Sequence, residues 1–474
     1  MVFSNAVFLF VFLPITLLGY FLLRKTVLQN YWLLFVSLVF YLWGKPKYIV
    51  ILIVSMLINY CGARMVDWTK TQKSAKTALS VTVFANLLLL YYFKYFNFSI
   101  GMFNDLFKTD IQVNEILLPI GISFFTFQGI SYVVDVYRKD VLVQKNFSKF
   151  AMYISMFPQL VAGPIVRYKD IVKEIDNRRV SLDDFTDGIQ RFIIGLSKKV
   201  IVADTLAVTA DSIFGMSPSN NSVSVAWLGI ICYSLQIFFD FAGYSDMAIG
   251  MGRMLGFHFI ENFNYPYISK SITEFWRRWH ISLSSFFRDY IYIPLGGNRK
   301  HTYLNVAVVF LLTGIWHGAA YTFVLWGIWH GTFNIVEKYL KEKKNTYEEK
   351  KDGRLVAFGK HVYTLLVVMI GWILFRADSV SYAGQYMLSL VSLQQPGMPG
   401  FELMWYLDRW TVLILILAIV FATPAASMFC VLIKNRVYEK VWMITKYVAL
   451  LLLLFVCVLR VASNTYSAFI YFQF

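Results

Sequence analysis

Histidine is the side chain best suited to take and return a proton near neutral pH, because its unperturbed pKa is about 6.5. The chain has six, and His317 stands apart. It sits in LNVAVVFLLTGIWHGAAYTFVLWGIWHG, an apolar stretch with no acidic, basic or other imidazole group before His330. An ionisable group in such a place marks a functional position by default, and neutral imidazole costs less to bury than a carboxylate or an ammonium. The competing reading is a hydrogen-bonded packing histidine. Gly314 and Gly318 flank His317 at helical spacing, which permits close helix packing or close approach of a substrate.

His280, in the cluster W-R-R-W-H at 276–280, is the second candidate. Two histidines 37 residues apart, one in polar and one in apolar sequence, could converge on one site. The competing reading for His280 is an interfacial structural residue. His330 closes an apolar span, and His258, His301 and His361 read as loop or interface residues. With no H-E-x-x-H pair and no carboxylate near His317 in sequence, no metal site is expected. There is no G-x-x-x-x-G-K-[ST] loop, G-x-S-x-G elbow or dinucleotide fingerprint, so energy must come from an activated donor or a gradient.

The elements that position these residues are read from hydropathy. Of 474 residues 58% are hydrophobic and only 15% charged, which points to lipid as the solvent and to a polytopic all-α protein. Spans are expected near 5–23, 30–44, 48–63, 77–97, 116–137, 184–213, 223–250, 303–319, 321–337, 361–376, 409–433 and 442–460, about 11 or 12 in all. The first lacks a basic start and a small-residue cleavage site, so it reads as a retained span. The formal net charge of +16 comes from Lys and Arg that flank apolar spans, where cytoplasmic loops and anionic headgroups favour them, and not from a nucleic-acid-binding domain. Arg64, Lys70, Lys73 and Lys76 mark one cytoplasmic loop; alternation then puts both termini outside. Cys61, Cys232, Cys430 and Cys457 are scattered through apolar sequence and suggest neither disulfides nor zinc.

Two segments break the pattern. MYISMFPQLVAGPIVRYKD, 152–170, is apolar but interrupted by Pro158, Gly163 and Pro164, and reads as a re-entrant element. SITEFWRRWHISLSSFFRDYIYIPLGGNR, 271–299, opens on a capping-box pair, Ser271 and Glu274, and closes on Pro294, Gly296 and Gly297. It predicts one helix of about twenty residues, too polar to face lipid, lying in the interface or lining a cavity.

The blocks WRRWHISLSSFFRDYIYIPLGGNRK, 276–300, and GIWHGAAYTFVLWGIWHG, 314–331, closely resemble the membrane-bound O-acyltransferase superfamily, nearest to the membrane subunit of bacterial alginate O-acetylation and its wall-polymer relatives. LLPIGISFFTFQGISYVVDVYR, FPQLVAGPIVRY and FFDFAGYSDMAIG extend the likeness over most of the chain. The resemblance implies a single transmembrane domain over 1–474, with a catalytic core at 271–331 and helices around a central cavity. It carries the family's catalytic histidine onto His317 and its second histidine onto His280. Trp276, Arg277 and Trp316 are then expected to bind substrate through their N–H groups.

The same resemblance implies a multi-pass protein of the bacterial cytoplasmic membrane that binds no resident cofactor. It would take an acetyl group from a cytoplasmic thioester, acetyl-CoA, towards a polysaccharide outside. A Ser-His-Asp esterase-like partner (SGNH type) on the extracytoplasmic side would complete delivery, since the longest expected outer loop, 377–408, is too short for a polysaccharide-binding domain. The chain ends F-I-Y-F-Q-F, which looks like the C-terminal motif of relatives and makes Tyr471, within 467–474, an acyl acceptor. The alternatives are D-alanyl transfer to teichoic acid and transport of lipid-linked sugars. The latter calls for intramembrane carboxylates or repeated halves, and the sequence reads as having neither.

Overall fold

The computed structural model describes residues 2–24, 26–44, 46–161, 163–343, 353–392 and 402–463. Tyr471 and the rest of 464–474 lie outside them. Every regular element among the described residues is helical. Pro46–Trp68, Gln72–Phe107, Val223–Met254, Arg354–Arg376 and Glu439–Ala462 are long and apolar enough to cross a membrane, and Phe8–Leu22, Leu28–Leu42 and Thr302–His317 are shorter apolar helices. The spans expected near 116–137, 184–213 and 321–337 form as Ile122–Arg138, as Leu182–Ser197 continuing through Lys198–Ala203 to Asp204–Phe214, and as Tyr321–Lys343. These three are shorter or less apolar than those five helices. The span expected at 409–433 is two helices, Arg409–Phe421 and Ala425–Lys434, bent by 76°. Pro424 at the break lacks the N–H that would continue the ladder. The expected outer loop 377–408 contains a helix, Val380–Ser389, capped by Ser379 Oγ accepting from Tyr382 N.

The chain folds as two compact units, residues 1–192 with 244–260, and residues 193–243 with 261–474. In the first, Ile122–Arg138 packs on Ile49–Trp68 and Gln72–Leu90. Asn59 and Asn86 exchange reciprocal amide hydrogen bonds of 2.9 Å across that layer, which satisfies two buried polar groups at once. The apolar segment 152–170 forms short helices, Phe147–Ser155 and Phe157–Leu160, and becomes regular again only at Tyr168–Asn177, as its Pro and Gly content requires. Arg178 ties this region together, donating to Tyr20 Oη at 2.7 Å and to Asn30 Oδ1 at 2.6 Å.

Buried carboxylates are present after all. Asp135 in Ile122–Arg138 and Asp240 in Val223–Met254 are fully buried. They escape a hydropathy reading because single acids barely change a window average and each has a distant partner. Asp135 meets Lys169 at 3.3 Å. In the second unit Lys199 Nζ lies 2.6 Å from Asp204 and 3.0 Å from Asp240, and is itself 1% exposed. A buried ion pair adds little net stability, but removing one partner strands the others. Lys199→Met is therefore expected to cost about 3–5 kcal/mol, whereas Asp240→Asn, which leaves Lys199 paired with Asp204, costs less. Unfolding temperatures in detergent that rank the two variants in the opposite order would refute this.

Candidate active site

The segment 271–299 forms two short helices, Ile272–Arg278 and Ile281–Phe287, and then a π-helical turn, Arg288–Tyr292, in place of the expected single helix. The break falls at His280, whose φ of 44° is left-handed. A bulky residue holds that conformation only where its surroundings enforce it. Asn262 does so: its backbone carbonyl accepts from Ile281 N at 2.9 Å. Its Oδ1 accepts from Ser282 N at 3.1 Å and Ser282 Oγ at 2.9 Å, and lies 3.1 Å from His280 Nδ1. The N-terminus of Ile272–Arg278 is fixed twice. Ser271 Oγ accepts from Glu274 N at 3.0 Å, while the Glu337 carboxylate accepts from Ile272 N at 2.7 Å and Thr273 N at 3.0 Å. Only half of the expected capping box forms, because Glu274 accepts from Lys270 N and from Arg278 instead of from Ser271.

These contacts fix the state of His280. A backbone N–H can only donate, so the Asn262 atom facing Ser282 N is the oxygen, and His280 Nδ1 must carry the proton it donates to that oxygen. Nε2 is then the lone-pair nitrogen, and it has no hydrogen-bond partner among the described residues. Burial pushes the imidazole down to about 3, so it is neutral at physiological pH. A neutral ring with Nδ1–H engaged cannot donate to an oxyanion; it can only accept. Asn262→Leu should release this tautomer and lower turnover by roughly 10- to 100-fold, with Asn262→Asp, which keeps the acceptor, closer to wild type. Equal turnover of the Leu variant and wild type would exclude an orienting role for Asn262.

His317 is the last residue of Thr302–His317 and is 3% exposed. Its ring lies 4.8 Å from Trp316, 5.0 Å from Trp326 and 5.0 Å from Phe375, all near edge-on. The tight pairing of Thr302–His317 with Tyr321–Lys343 depends on glycine. A Cβ on Gly314 would meet Phe323 O at 2.4 Å, and one on Gly327 would meet Phe310 O at 2.5 Å. Gly314 therefore serves helix packing. Trp316 also lies against His280, 6.1 Å between ring centres, so the two histidines flank one indole. Phe241 closes the other side of His280 at 4.6 Å. Trp276 is buried against Trp326 at 5.4 Å and His330 at 5.1 Å, whereas its neighbour Arg277 is exposed and has no place in this cluster.

The model of the membrane-bound O-acyltransferase family matches residues 139–377, which contain His280, His317 and their aromatic surroundings. The probable alginate O-acetylase of Pseudomonas putida is 40% identical over the whole length of both chains. The chain belongs to the membrane-bound O-acyltransferase family. It is thus a multi-pass membrane acyltransferase. The peptidoglycan O-acetyltransferase of Helicobacter pylori is 32% identical over 100% of this chain and 98% of that protein. The teichoic acid D-alanyltransferase of Bacillus subtilis is 32% identical over 42% of this chain and 54% of its own.

The cluster holds one buried imidazole at a helix end, a second in a fixed tautomer, and indole N–H groups around them. Sequence reasoning placed His317, His280, Trp276 and Trp316 together, and the structure brings all four to one aromatic cluster. It did not find Asn262, which lies 18 residues before His280 with no motif to link them. Nor did it credit His330, although a second W-H-G at 329–331 was a signal in plain view.

Proposed function

We propose that this acyltransferase takes an acetyl group from acetyl-CoA on the cytoplasmic side and passes it to an extracytoplasmic acceptor for O-acetylation of a cell-surface or secreted polysaccharide, in the bacterial cytoplasmic membrane. The carrying observation is His317, a buried imidazole at a helix C-terminus enclosed by Trp316, Trp326 and Phe375. In this mechanism an acceptor hydroxyl attacks the thioester carbonyl and gives its proton to the unprotonated nitrogen of the neutral His317 ring. The new C–O bond forms as the C–S bond breaks, and the thiolate leaves with the proton returned by the imidazolium. The partial negative charge at the carbonyl end of Thr302–His317 favours that transient cation. Indole N–H groups supply donors to the oxyanion, a role His280 cannot share in its present tautomer.

The hydroxyl is that of Tyr471, which hands the acetyl group as an aryl ester to a Ser-His-Asp esterase-like partner outside. That partner completes transfer to the sugar. Purified protein that alone acetylates a polysaccharide from acetyl-CoA would show the partner to be dispensable. Support for acetyl transfer comes from the two full-length relatives named for O-acetylation. The partial likeness to a teichoic acid D-alanyltransferase favours a second reading, D-alanyl transfer from a carrier-protein thioester. Mass spectrometry of the wall or secreted polymer with and without this protein decides: loss of an acetyl mass supports the first reading, and loss of D-alanine the second.

A further inference from the structure

His330 lies on Tyr321–Lys343, fully buried, one turn beyond Trp326. Its ring packs on Trp276 at 5.1 Å and on Trp326 at 5.0 Å, and those two indoles touch each other at 5.4 Å. The three rings therefore form a closed group, and Trp326 links it to His317 at 5.0 Å. Both nitrogens of His330 and the indole nitrogens of Trp276 and Trp326 have no hydrogen-bond partner among the described residues. The fold makes room for this imidazole deliberately, since a Cβ on Gly371 would sit 2.4 Å from His330 Nε2. A phenyl ring could fill the same volume without burying two more polar atoms. Four unsatisfied polar atoms on three touching side chains are costly unless something polar binds there.

The chemistry of those atoms restricts the occupant. The indoles only donate, and neutral imidazole donates once and accepts once. No member of the trio carries a fixed charge, so a phosphate or carboxylate would be desolvated without a counter-charge. An alkyl chain would leave all four atoms unpaired. A neutral carbonyl compound with accompanying N–H groups, such as the amide-bearing arm that ends in a thioester, matches donors and acceptor alike. We propose that His330, with the indole N–H groups of Trp276 and Trp326, binds the carbonyl-bearing arm of the acyl donor beside His317. This rests on the reading that His317 transfers an acyl group from a thioester.

The test uses full-length protein in detergent with acetyl-CoA as probe, on a His317→Ala background that should not turn the donor over. Adding His330→Phe keeps the ring volume and removes both nitrogens. Acetyl-CoA should bind at least about 10-fold more weakly, while the unfolding temperature stays the same or rises because unsatisfied polar atoms are gone. His330→Gln, which retains a donor and an acceptor, should bind within a few-fold of the background. Unchanged affinity in the Phe variant would show that the trio holds only water and would overturn the inference, leaving the His317 reading intact. Unfolding temperatures lowered in both the Phe and Gln variants would make His330 a structural residue, with the same consequence. Acetyl transfer by the His317→Ala protein itself, or no binding of acetyl-CoA to it, would instead sink the catalytic or the donor assignment on which the inference stands.

Discussion

His317→Ala should abolish polymer acetylation while the protein stays in the membrane at close to wild-type abundance. A positioned general base contributes roughly 10²- to 10⁴-fold, and Trp316, Trp326 and Phe375, the rings packed against His317, cannot serve as bases in its place. His280 Nε2 could accept a proton, but its ring is separated from His317 by Trp316 and is held by Asn262. Deleting the imidazole also opens a cavity among Trp316, Trp326 and Phe375, which destabilises the site by itself. His317→Gln controls for this, because it refills most of the volume and keeps hydrogen-bonding atoms without a usable base. Both variants should be inactive and the Gln variant should unfold at a temperature closer to wild type. Wild-type acetylation in a strain whose only copy carries His317→Ala would end the catalytic assignment.

Tyr471→Phe should stop acetylation as completely as His317→Ala. The last described helix, Glu439–Ala462, ends nine residues before Tyr471. If extended, a stretch of that length reaches about 30 Å. A phenol with pKa of about 10 becomes a competent nucleophile once a neutral histidine accepts its proton, and its aryl ester stays activated for the next transfer. Phe469 and Phe474 would anchor the terminus at the interface, where aromatic side chains are favoured. The substitution removes one oxygen and preserves that anchor, so loss of activity would report the hydroxyl and not the membrane contact. Acetylation at the wild-type level in the Tyr471→Phe strain would reduce the terminus to an anchor. Failure of this variant alone, with His317→Ala inactive, would move the acceptor role to another hydroxyl and leave the base in place.

The two substitutions address opposite ends of the same transfer, and Lys199→Met is a control for both. The Lys199 side chain is paired with Asp204 and Asp240 in a buried ion-pair cluster, so the expected loss is of stability first. A Lys199→Met protein that folds normally but fails to acetylate would place that buried charge in the chemistry instead.

What the sequence determined by itself was whatever depends on local composition. Apolar runs without satisfied alternatives must become helices in lipid, so membrane character, the all-helical class and most helix positions followed directly. His317 was visible because a lone imidazole in apolar sequence is costly, and the W-R-R-W-H and W-H-G blocks tied it to a family. Tertiary structure decided whatever depends on partners distant in the chain. The 271–299 segment has the caps and length of one helix, yet Asn262 captures the backbone at Ile281 and Ser282 and turns His280 into a left-handed break. Asp240 was hidden because its compensating charge, Lys199, is on another helix. His330 looked like the end of a span until Trp276, from a different element, was seen against it. Each of these depends on a hydrogen bond, ion pair or ring contact formed across many residues, whose free energy enters only once packing has brought the elements together; no window of sequence contains both partners.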